Sequence, residues 1–312
     1  MDTLFVTYTV AAAVVTACLA ATLAAGELRR RRRSRDTVLR AKYLHIVMLA
    51  LTSGGAEPRF PMLERAGGRR LLAETIAGLV AMTYGLDPAP LRRIVARCGL
   101  DEWLLRRTRR THGYRRARCL ALLARLPLEC TAAGRVAAYT RSRNRYVRFY
   151  ALMVQLAAEP SVSLRRMAEY GHPFSACEVS EIMTILRRGI LPIAYEPLVE
   201  SPNRNLRMVG LGIVRQFGIE EAELHLLRIV GGDQSPELGR EALYTLCSMR
   251  RPLVRREVAG RIASMNRAER KALLRYMAQE GYSPAALRRL FDDRERPYYE
   301  SLVQSYKRCL VC

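Results

Sequence analysis

Asn203-Arg-Asn-Leu206-Arg207-Met-Val-Gly210-Leu211 is the stretch that decides the fold. It places a small polar residue first, then an apolar-Arg pair, then a small residue one helical turn later. Clear copies are Asn144-Arg-Tyr-Val147-Arg148-Phe-Tyr-Ala151-Leu152 and Ser235-Pro-Glu-Leu238-Gly-Arg240-Glu-Ala242-Leu243, and looser copies surround Arg118 and Arg270. A pattern that returns about every thirty residues indicates a solenoid, in which stacked neighbours form a core that no single unit could form alone.

The rest of the chain is also predicted to be helical. Short segments with apolar residues at helical spacing alternate with Gly, Pro and polar breaks, and no stretch alternates with period two. We predict an all-α fold, an alpha-alpha superhelix preceded by one transmembrane helix. The predicted parts are a membrane anchor at 1–28, a basic juxtamembrane segment with a divergent helical cap at 29–99, repeats at 100–281, and C-terminal capping helices with a tail at 282–312.

The repeated units resemble HEAT repeats, which are antiparallel helix pairs whose second helix opens with a polar residue and an apolar-Arg pair. The best matches are residues 195–207 and 226–243, and the resemblance covers about residues 102–281. The unit near 163–189 departs from the pattern because Ser175-Ala-Cys-Glu-Val179-Ser lacks the arginine. The resemblance implies a HEAT-like solenoid that serves as a binding surface. It does not indicate the ligand, because the motif residues are structural.

Each motif position has a physical role. The opening Asn or Ser can cap the second helix and contribute about 1 kcal/mol. We expect Ala151, Gly210 and Ala242 to be small where one helix approaches the next layer. In HEAT-like arrays the motif arginine bonds neighbouring units, so the resemblance implies a structural ladder of Arg148, Arg207, Arg240 and Arg270.

An uncharged run from Leu4 to Ala25 opens the chain. About twenty such residues cross the roughly 30 Å hydrocarbon layer as a helix, so the run can span a membrane once. A buried solenoid helix is the alternative, but it would rarely run so far without a charge and then meet six arginines. A cleavable secretory signal would carry a base before the run, whereas here Asp2 precedes it.

A membrane-proximal basic cluster follows the run, made up of Arg29, Arg30, Arg31, Arg32, Arg33 and Arg35. By the positive-inside rule this cluster stays cytoplasmic. We therefore predict a single-pass protein of the cell (inner) membrane whose repeat body faces the cytoplasm. Contact with anionic membrane lipid and contact with nucleic acid are further interpretations of the same cluster.

The net charge of +23 favours anionic partners, although an arginine excess can also reflect genome composition. Arginines outside the ladder concentrate near turns that stacking would bring to one edge. This candidate anionic-partner surface comprises Arg106, Arg107, Arg109, Arg110, Arg115, Arg116, Arg141, Arg143 and Arg145. A third group lies at Arg250, Arg251, Arg255 and Arg256. A solvated rim is the alternative interpretation of all these residues.

Residue patterns of catalytic or metal sites are missing from the sequence. The four histidines lie far apart, and no zinc-protease motif or phosphate-binding glycine loop is present. The eight cysteines are scattered, as expected for buried thiols in a reducing compartment, and Cys309-Leu-Val-Cys312 lacks the second pair that zinc would need. We predict no catalytic residues, no cofactor and no metal.

Three functions fit these observations. The first is a membrane-anchored scaffold or adaptor whose array binds a protein partner. The second is a membrane-tethered array that binds nucleic acid through its basic surface. The third is a HEAT-like DNA glycosylase, for which Trp103 and Tyr146 could contact bases. However, Phe149 and Tyr150 are needed in a helix core, and a membrane anchor does not suit base excision.

Overall fold

Helices account for every element that the computed structural model describes, so the all-α prediction is confirmed. The structure describes residues 2–52, 58–64, 67–83, 85, 87–186, 194–232 and 235–309, and the side chains of residues 2–15, 17, 29, 32 and 307–309 lie outside that description. The helices form two compact units, unit 1 at residues 1–158 and unit 2 at residues 159–312. This boundary falls within the predicted repeat region.

The first helix, α1, runs without a break from Asp2 to Thr52. The sequence predicted an anchor at 1–28 and then a separate basic segment with a helical cap from residue 29. The structure joins them because arginine is a good helix former and no proline interrupts the run. Near the end of α1, Tyr43 and Val47 are completely buried in unit 1. The Tyr43 hydroxyl donates a hydrogen bond to the Pro61 carbonyl at 2.7 Å.

The predicted anchor falls mostly on residues whose side chains lie outside the described part of the chain. Among the residues that are described, no helix combines the length and the apolar character needed to cross a membrane. The anchor stays a prediction.

Unit 1 continues with six shorter α-helices. They are α2 (Gly68–Met82), α3 (Pro88–Arg97), α4 (Leu100–Arg110), α5 (Gly113–Ala124), α6 (Thr131–Val136) and α7 (Arg145–Ala158), with a 3-10 helix at Ala137–Arg141. α1 packs on α2, α4 on α5, and α6 on α7. α5 also packs on α7, so a helix contacts both its neighbour in sequence and the next helix but one. Leu104, Leu120 and Val147 lie in the resulting core.

Unit 2 repeats this arrangement with more and shorter helices. Its α-helices are α8 (Ser163–Glu169), α9 (Ala176–Leu186), α10 (Glu196–Val199), α11 (Arg204–Phe217), α12 (Glu223–Gly231), α13 (Pro236–Ser248), α14 (Arg256–Ser264), α15 (Arg267–Gln279), α16 (Pro284–Leu287) and α17 (Arg296–Cys309). Short 3-10 helices lie at Pro160–Val162 and Glu220–Ala222. The odd-numbered helices from α9 to α17 form one row, each packing on the next. α10 packs on α11, and α12 packs on both α13 and α14.

The predicted helix caps are confirmed at asparagine and not at serine. The side chains of Asn144, Asn203 and Asn266 each accept a hydrogen bond from a backbone N–H in the first turn of the following helix. Ser235 has the extended backbone of a cap, but its side chain makes no capping hydrogen bond. Asn266 also forms a capping box with Glu269.

Gly210 is small for a different reason from the one the sequence suggested. A Cβ at this position would lie 3.0 Å from the backbone nitrogen of Val199 and 2.9 Å from a Val199 methyl carbon. Val199 belongs to α10, the paired helix, rather than to the next layer. The close approach of α11 to α10 therefore requires glycine here. Ala151 and Ala242 are completely buried.

Candidate anionic-partner surface

Two connections carry the predicted surface, one between α4 and α5 and one between α6 and α7. After α4 ends at Arg110, Gly113 begins α5 with φ at 54°. This left-handed conformation favours glycine, which has no Cβ to clash. In the second connection, the Asn144 side chain accepts from the Val147 N–H at 3.2 Å and caps α7. Both connections therefore have a defined backbone.

Arg116 holds the two connections side by side. Its Nε donates to the carbonyl oxygens of Thr108 at 3.1 Å and Thr111 at 2.7 Å, in the first connection. Its guanidinium lies over the Tyr139 ring, 5.0 Å from the centroid, and Tyr139 belongs to the 3-10 helix that precedes α7. Arg116 is half-buried. It therefore supports the surface from beneath and is not open to a ligand.

The other eight predicted arginines are all exposed. We call seven of them the arginine face: Arg106, Arg107, Arg109, Arg110, Arg115, Arg141 and Arg143. Arg145 is set apart because it already has a partner. The Arg107 guanidinium lies over the Trp103 ring at 5.4 Å. Among the described residues, no carboxylate forms a salt bridge with Arg109, Arg110, Arg115, Arg141 or Arg143.

Acidic side chains are scarce around this face. Residues 101–148 contain 13 arginines and only 3 acidic residues. One of the acids, Glu102, is already bound, because Arg135 on α6 donates hydrogen bonds to both of its oxygens, one of them at 3.1 Å. Hydrogen bonding by Arg135 lowers the pKa of the Glu102 carboxyl below its ordinary value of 4.5. Glu102 thus stays charged and joins α4 to α6.

Two exposed tyrosines lie next to the arginine face. Tyr114 is the second residue of α5 and Tyr146 is the second residue of α7, and they are 75% and 62% exposed. Of these two tyrosines, the sequence indicated only Tyr146 as a ligand contact. The signal for Tyr114 was an aromatic residue beside arginine at the start of two successive repeat helices. Phe149, by contrast, is buried, as expected for a core residue.

The membrane-proximal basic cluster is displayed along α1. Arg30, Arg31, Arg33 and Arg35 are exposed, while the side chains of Arg29 and Arg32 lie outside the described residues. Arg31 Nε bonds Glu27 at 3.0 Å, one helical turn earlier. Such an exposed i,i+4 pair supports the helix by only about 0.3–0.5 kcal/mol.

The predicted ladder arginines have three different environments. Arg240 on α13 forms an ion pair with Glu269 on α15 at 3.5 Å. Arg270 on α15 binds Glu295, just before α17, at 2.6 Å. These two link one repeat to the next. Arg148 instead donates to the Ser142 carbonyl at 2.7 Å, within its own connection. Arg207 lines a cleft of about 310 Å³ beside α12.

The third arginine group, in unit 2, is partly neutralised. Arg251 lies 2.9 Å from a Glu220 oxygen and 3.2 Å from a Glu223 oxygen. Arg255 is 3.7 Å from Glu223. These carboxylates lie at the start of α12, one repeat earlier, so this group belongs to contacts between repeats.

Asn205 is a polar residue whose role the sequence did not reveal. It is 5% exposed. Its amide oxygen accepts from the Phe174 N–H at 2.9 Å, and its amide nitrogen donates to the carbonyls of Tyr170 at 3.1 Å and His172 at 2.9 Å. The first turn of α11 thereby fixes the connection between α8 and α9. No local pattern could have indicated this, because the partners lie more than thirty residues away.

The remaining chemistry-bearing side chains are dispersed in the described part of the chain. No three His, Cys, Asp or Glu residues there come together in a group that could hold a metal ion. All six described cysteines are free thiols. Cys119 and Cys247 are buried as expected, whereas Cys130 and Cys177 are exposed. The Cys309 to Cys312 pair lies outside the described side chains. His225 lies 3.2 Å from Glu200.

Comparison with known proteins finds no match. No family model, no curated protein and no solved structure is significantly similar to this chain. The resemblance to HEAT repeats therefore rests on the motif and its spacing.

Proposed function

We propose that this protein is a membrane-anchored, non-catalytic adaptor whose HEAT-like array binds a protein partner next to the bilayer. In this proposal residues 4–25 cross the inner membrane once. The repeat body lies in the cytoplasm and the basic cluster after the anchor contacts the anionic lipid surface.

The continuity of α1 is the observation that carries the proposal. One helix contains the uncharged run, the basic cluster, and then Tyr43 and Val47, which are buried in unit 1. Leu19 and Leu23, at the end of the run, expose most of their apolar surface, as lipid-facing residues would. A protein attached in this way holds its helical body at a fixed short distance from the membrane.

The packing of the helices supports a repeat array within each unit. Helices contact their sequence neighbour and the next helix but one, as stacked helix pairs do. Asn144 and Asn203 each cap the second helix of a copy of the motif, two periods apart, and Arg240 and Arg270 bind carboxylates of the following repeat. Repeat arrays of this kind present extended surfaces suited to macromolecules.

Membrane attachment and partner capture test the proposal together. Full-length protein should remain with membranes after an alkaline wash, and membrane-permeable crosslinking should capture a discrete partner from detergent extracts. Changing Val14 and Val15 to arginine should release the protein, because each charge costs about 3 kcal/mol at the centre of a spanning helix.

The matched control replaces two exposed apolar residues of unit 2, Leu224 and Val254, by arginine. These changes should leave the protein on the membrane. Recovery of the unaltered full-length protein in the soluble fraction, or capture of no partner, would reject the proposal.

A membrane-tethered nucleic-acid-binding array is the second candidate, favoured by the two exposed tyrosines beside the arginine face. Aromatic rings and arginines together form the binding surfaces of many proteins for single strands. This alternative requires an affinity that falls steeply with salt, with a slope that reflects several phosphate contacts. Binding to neither duplex nor single strands at low salt would remove it.

A further inference from the structure

In unit 2, arginines form ion pairs with carboxylates on or just before a neighbouring helix. Arg215 on α11 bonds Glu241 on α13, and Arg270 on α15 bonds Glu295. In each pair the carboxylate comes from the following repeat, about 25 residues along the chain. Pairing of arginine with a carboxylate from the following repeat is therefore a recurrent contact in unit 2.

The arginine face of unit 1 has the same kind of helix pair without the carboxylates. α5 and α7 pack directly on each other, and Arg116 fixes their entering connections side by side. Yet Glu102, one of the three acids in residues 101–148, already accepts hydrogen bonds from Arg135 at both of its oxygens. Repulsion among exposed like charges gives the free protein no benefit.

We infer that the arginine face is the docking surface for an acidic segment of the partner protein, which supplies the carboxylates that unit 1 lacks. This inference rests on the proposed adaptor function and adds to it the surface and the partner's chemistry. Guanidinium groups bind carboxylates with two parallel hydrogen bonds, so the pairing also sets the orientation of the segment.

The dimensions favour a helical acidic segment. α5 and α7 pack on each other, and the axes of packed helices lie about 8–10 Å apart. Two glutamates that are two turns apart on a partner helix are separated by about 10 Å. One can reach Arg115 and the other Arg143. Tyr114 and Tyr146 add exposed rings and hydroxyl donors at the same two positions.

A single strand of nucleic acid fits less well. Its bases repeat about every 3.4 Å along a strand, whereas Tyr114 and Tyr146 belong to two different helices, and the axes of packed helices lie about 8–10 Å apart. In the adaptor proposal the lipid surface is bound by the separate basic cluster on α1. The acidic protein segment is thus the occupant that the geometry favours.

Peptide binding to the full-length protein in neutral detergent tests the inference. The probe is a fluorescein-labelled helical peptide of about 15 residues, containing glutamate at i, i+3, i+4 and i+7 and otherwise alanine. Anisotropy should show saturable binding. The face variant, R109E/R110E/R141E/R143E, should bind at least tenfold more weakly, because an unfavourable contact replaces each favourable one.

The control variant, R92E/R93E/R288E/R289E, changes four exposed arginines elsewhere and alters the net charge equally. It should lose less than about threefold, which separates a local contact from the general attraction of a basic protein. A further variant, Y114S/Y146S, leaves the charge unchanged and should weaken binding by about threefold to tenfold. Equal binding by the face variant and the control would overturn the inference.

Two other probes test the class of ligand. Oligo-dT or phosphatidylglycerol vesicles that bind more tightly than the peptide, with the same dependence on the face variant, would also overturn it. Partner capture from membranes separates this inference from the adaptor proposal. If wild-type protein and the face variant capture the partner equally, only the docking surface is wrong, whereas capture of nothing by the wild type rejects the adaptor itself.

Discussion

Unit 1 and unit 2 have similar helix packing but use arginine in opposite ways. Unit 1 contains 28 basic and 10 acidic residues, and unit 2 contains 24 and 19. In unit 2 the additional acids lie where a neighbouring repeat presents an arginine, as in the Arg270 to Glu295 pair. In unit 1, Arg109, Arg110, Arg115, Arg141 and Arg143 form no salt bridge with a carboxylate in the described part of the chain.

This contrast indicates how an all-helical protein can separate stability from binding. Arginine that is paired across repeats stabilises the unit, whereas arginine without a partner is an exposed charge available to another molecule. Whether an arginine stabilises the unit or stays available depends on the residues that face it on the neighbouring helix. It does not depend on the position of the arginine in the motif. The following experiments would sharpen or break it.

The largest effect is expected from Asn205 in unit 2. N205L should lower the free energy of unfolding by about 2–4 kcal/mol, because three backbone groups lose their bonds to a buried amide. Urea unfolding followed by circular dichroism measures the change. The comparison in unit 1 is N144A, an exposed cap, which should cost about 1 kcal/mol. Similar costs for the two variants would contradict the assigned role of Asn205.

Paired and unpaired arginines should differ by a smaller amount. R270M removes a half-buried guanidinium from Glu295 and Asp292 and should destabilise the protein by about 1–3 kcal/mol. R110M, on the arginine face, should change stability by less than about 0.5 kcal/mol. If R110M proved as costly as R270M, Arg110 would have a structural role and the contrast between the units would fail.

Alkaline pH should act on unit 2. Burial raises the pKa of Tyr276 and Tyr299 to about 12, from an ordinary value of 10.0. A hydroxyl that holds its proton more tightly in the folded state contributes stability that is complete below pH 10 and lost as the pH rises towards 12. Tyrosinate absorbance and hydrogen exchange of unit 2 peptides should change together in this range.

Y276F removes one of these titrating groups and should extend the stability of unit 2 to higher pH. Protection factors, which correct exchange for base catalysis, that stay constant between pH 10 and 12 would contradict the expected coupling between tyrosine ionisation and folding.

The smallest effect concerns Glu102, the one bound acid near the arginine face. The hydrogen bonds from Arg135 lower its carboxyl pKa, so the pair contributes stability above pH 4.5 and loses it as the pH falls through the lower folded-state pKa. Carbon NMR of the Glu102 carboxyl should give a midpoint below 4.5, and R135Q should return it towards the ordinary value. A normal midpoint in the unaltered protein would show that Glu102 is free, and unit 1 would then hold an available carboxylate.

Local features of this molecule could be predicted from the sequence. The helices and the caps at Asn144 and Asn203 followed from spacing and from hydrogen bonds that reach only two or three residues. The continuity of α1 was missed because the change from apolar to basic residues suggested a boundary. Backbone propensity, which shows no break there, determined the outcome.

Long-range contacts could not be predicted in this way. The local sequence indicates a surface role for Arg116, but its guanidinium packs on the Tyr139 ring and joins two connections of the structure. Gly210 is required by Val199, and Asn205 by a connection in the preceding repeat. In each case the deciding atom lies on another helix, which a motif within one helix does not specify.

The continuity of α1 restricts how the length of this helix can change during evolution. In a continuous helix each added residue advances the chain by about 1.5 Å and rotates it by about 100°. An insertion therefore both moves and rotates everything that follows it. One residue inserted between Arg35 and Tyr43 would therefore swing unit 1 about the helix axis by more than a quarter circle. Seven inserted residues would move unit 1 by about 10 Å along the helix axis and leave its orientation about that axis nearly unchanged. We expect length variation in this stretch among related chains to occur in whole helical turns.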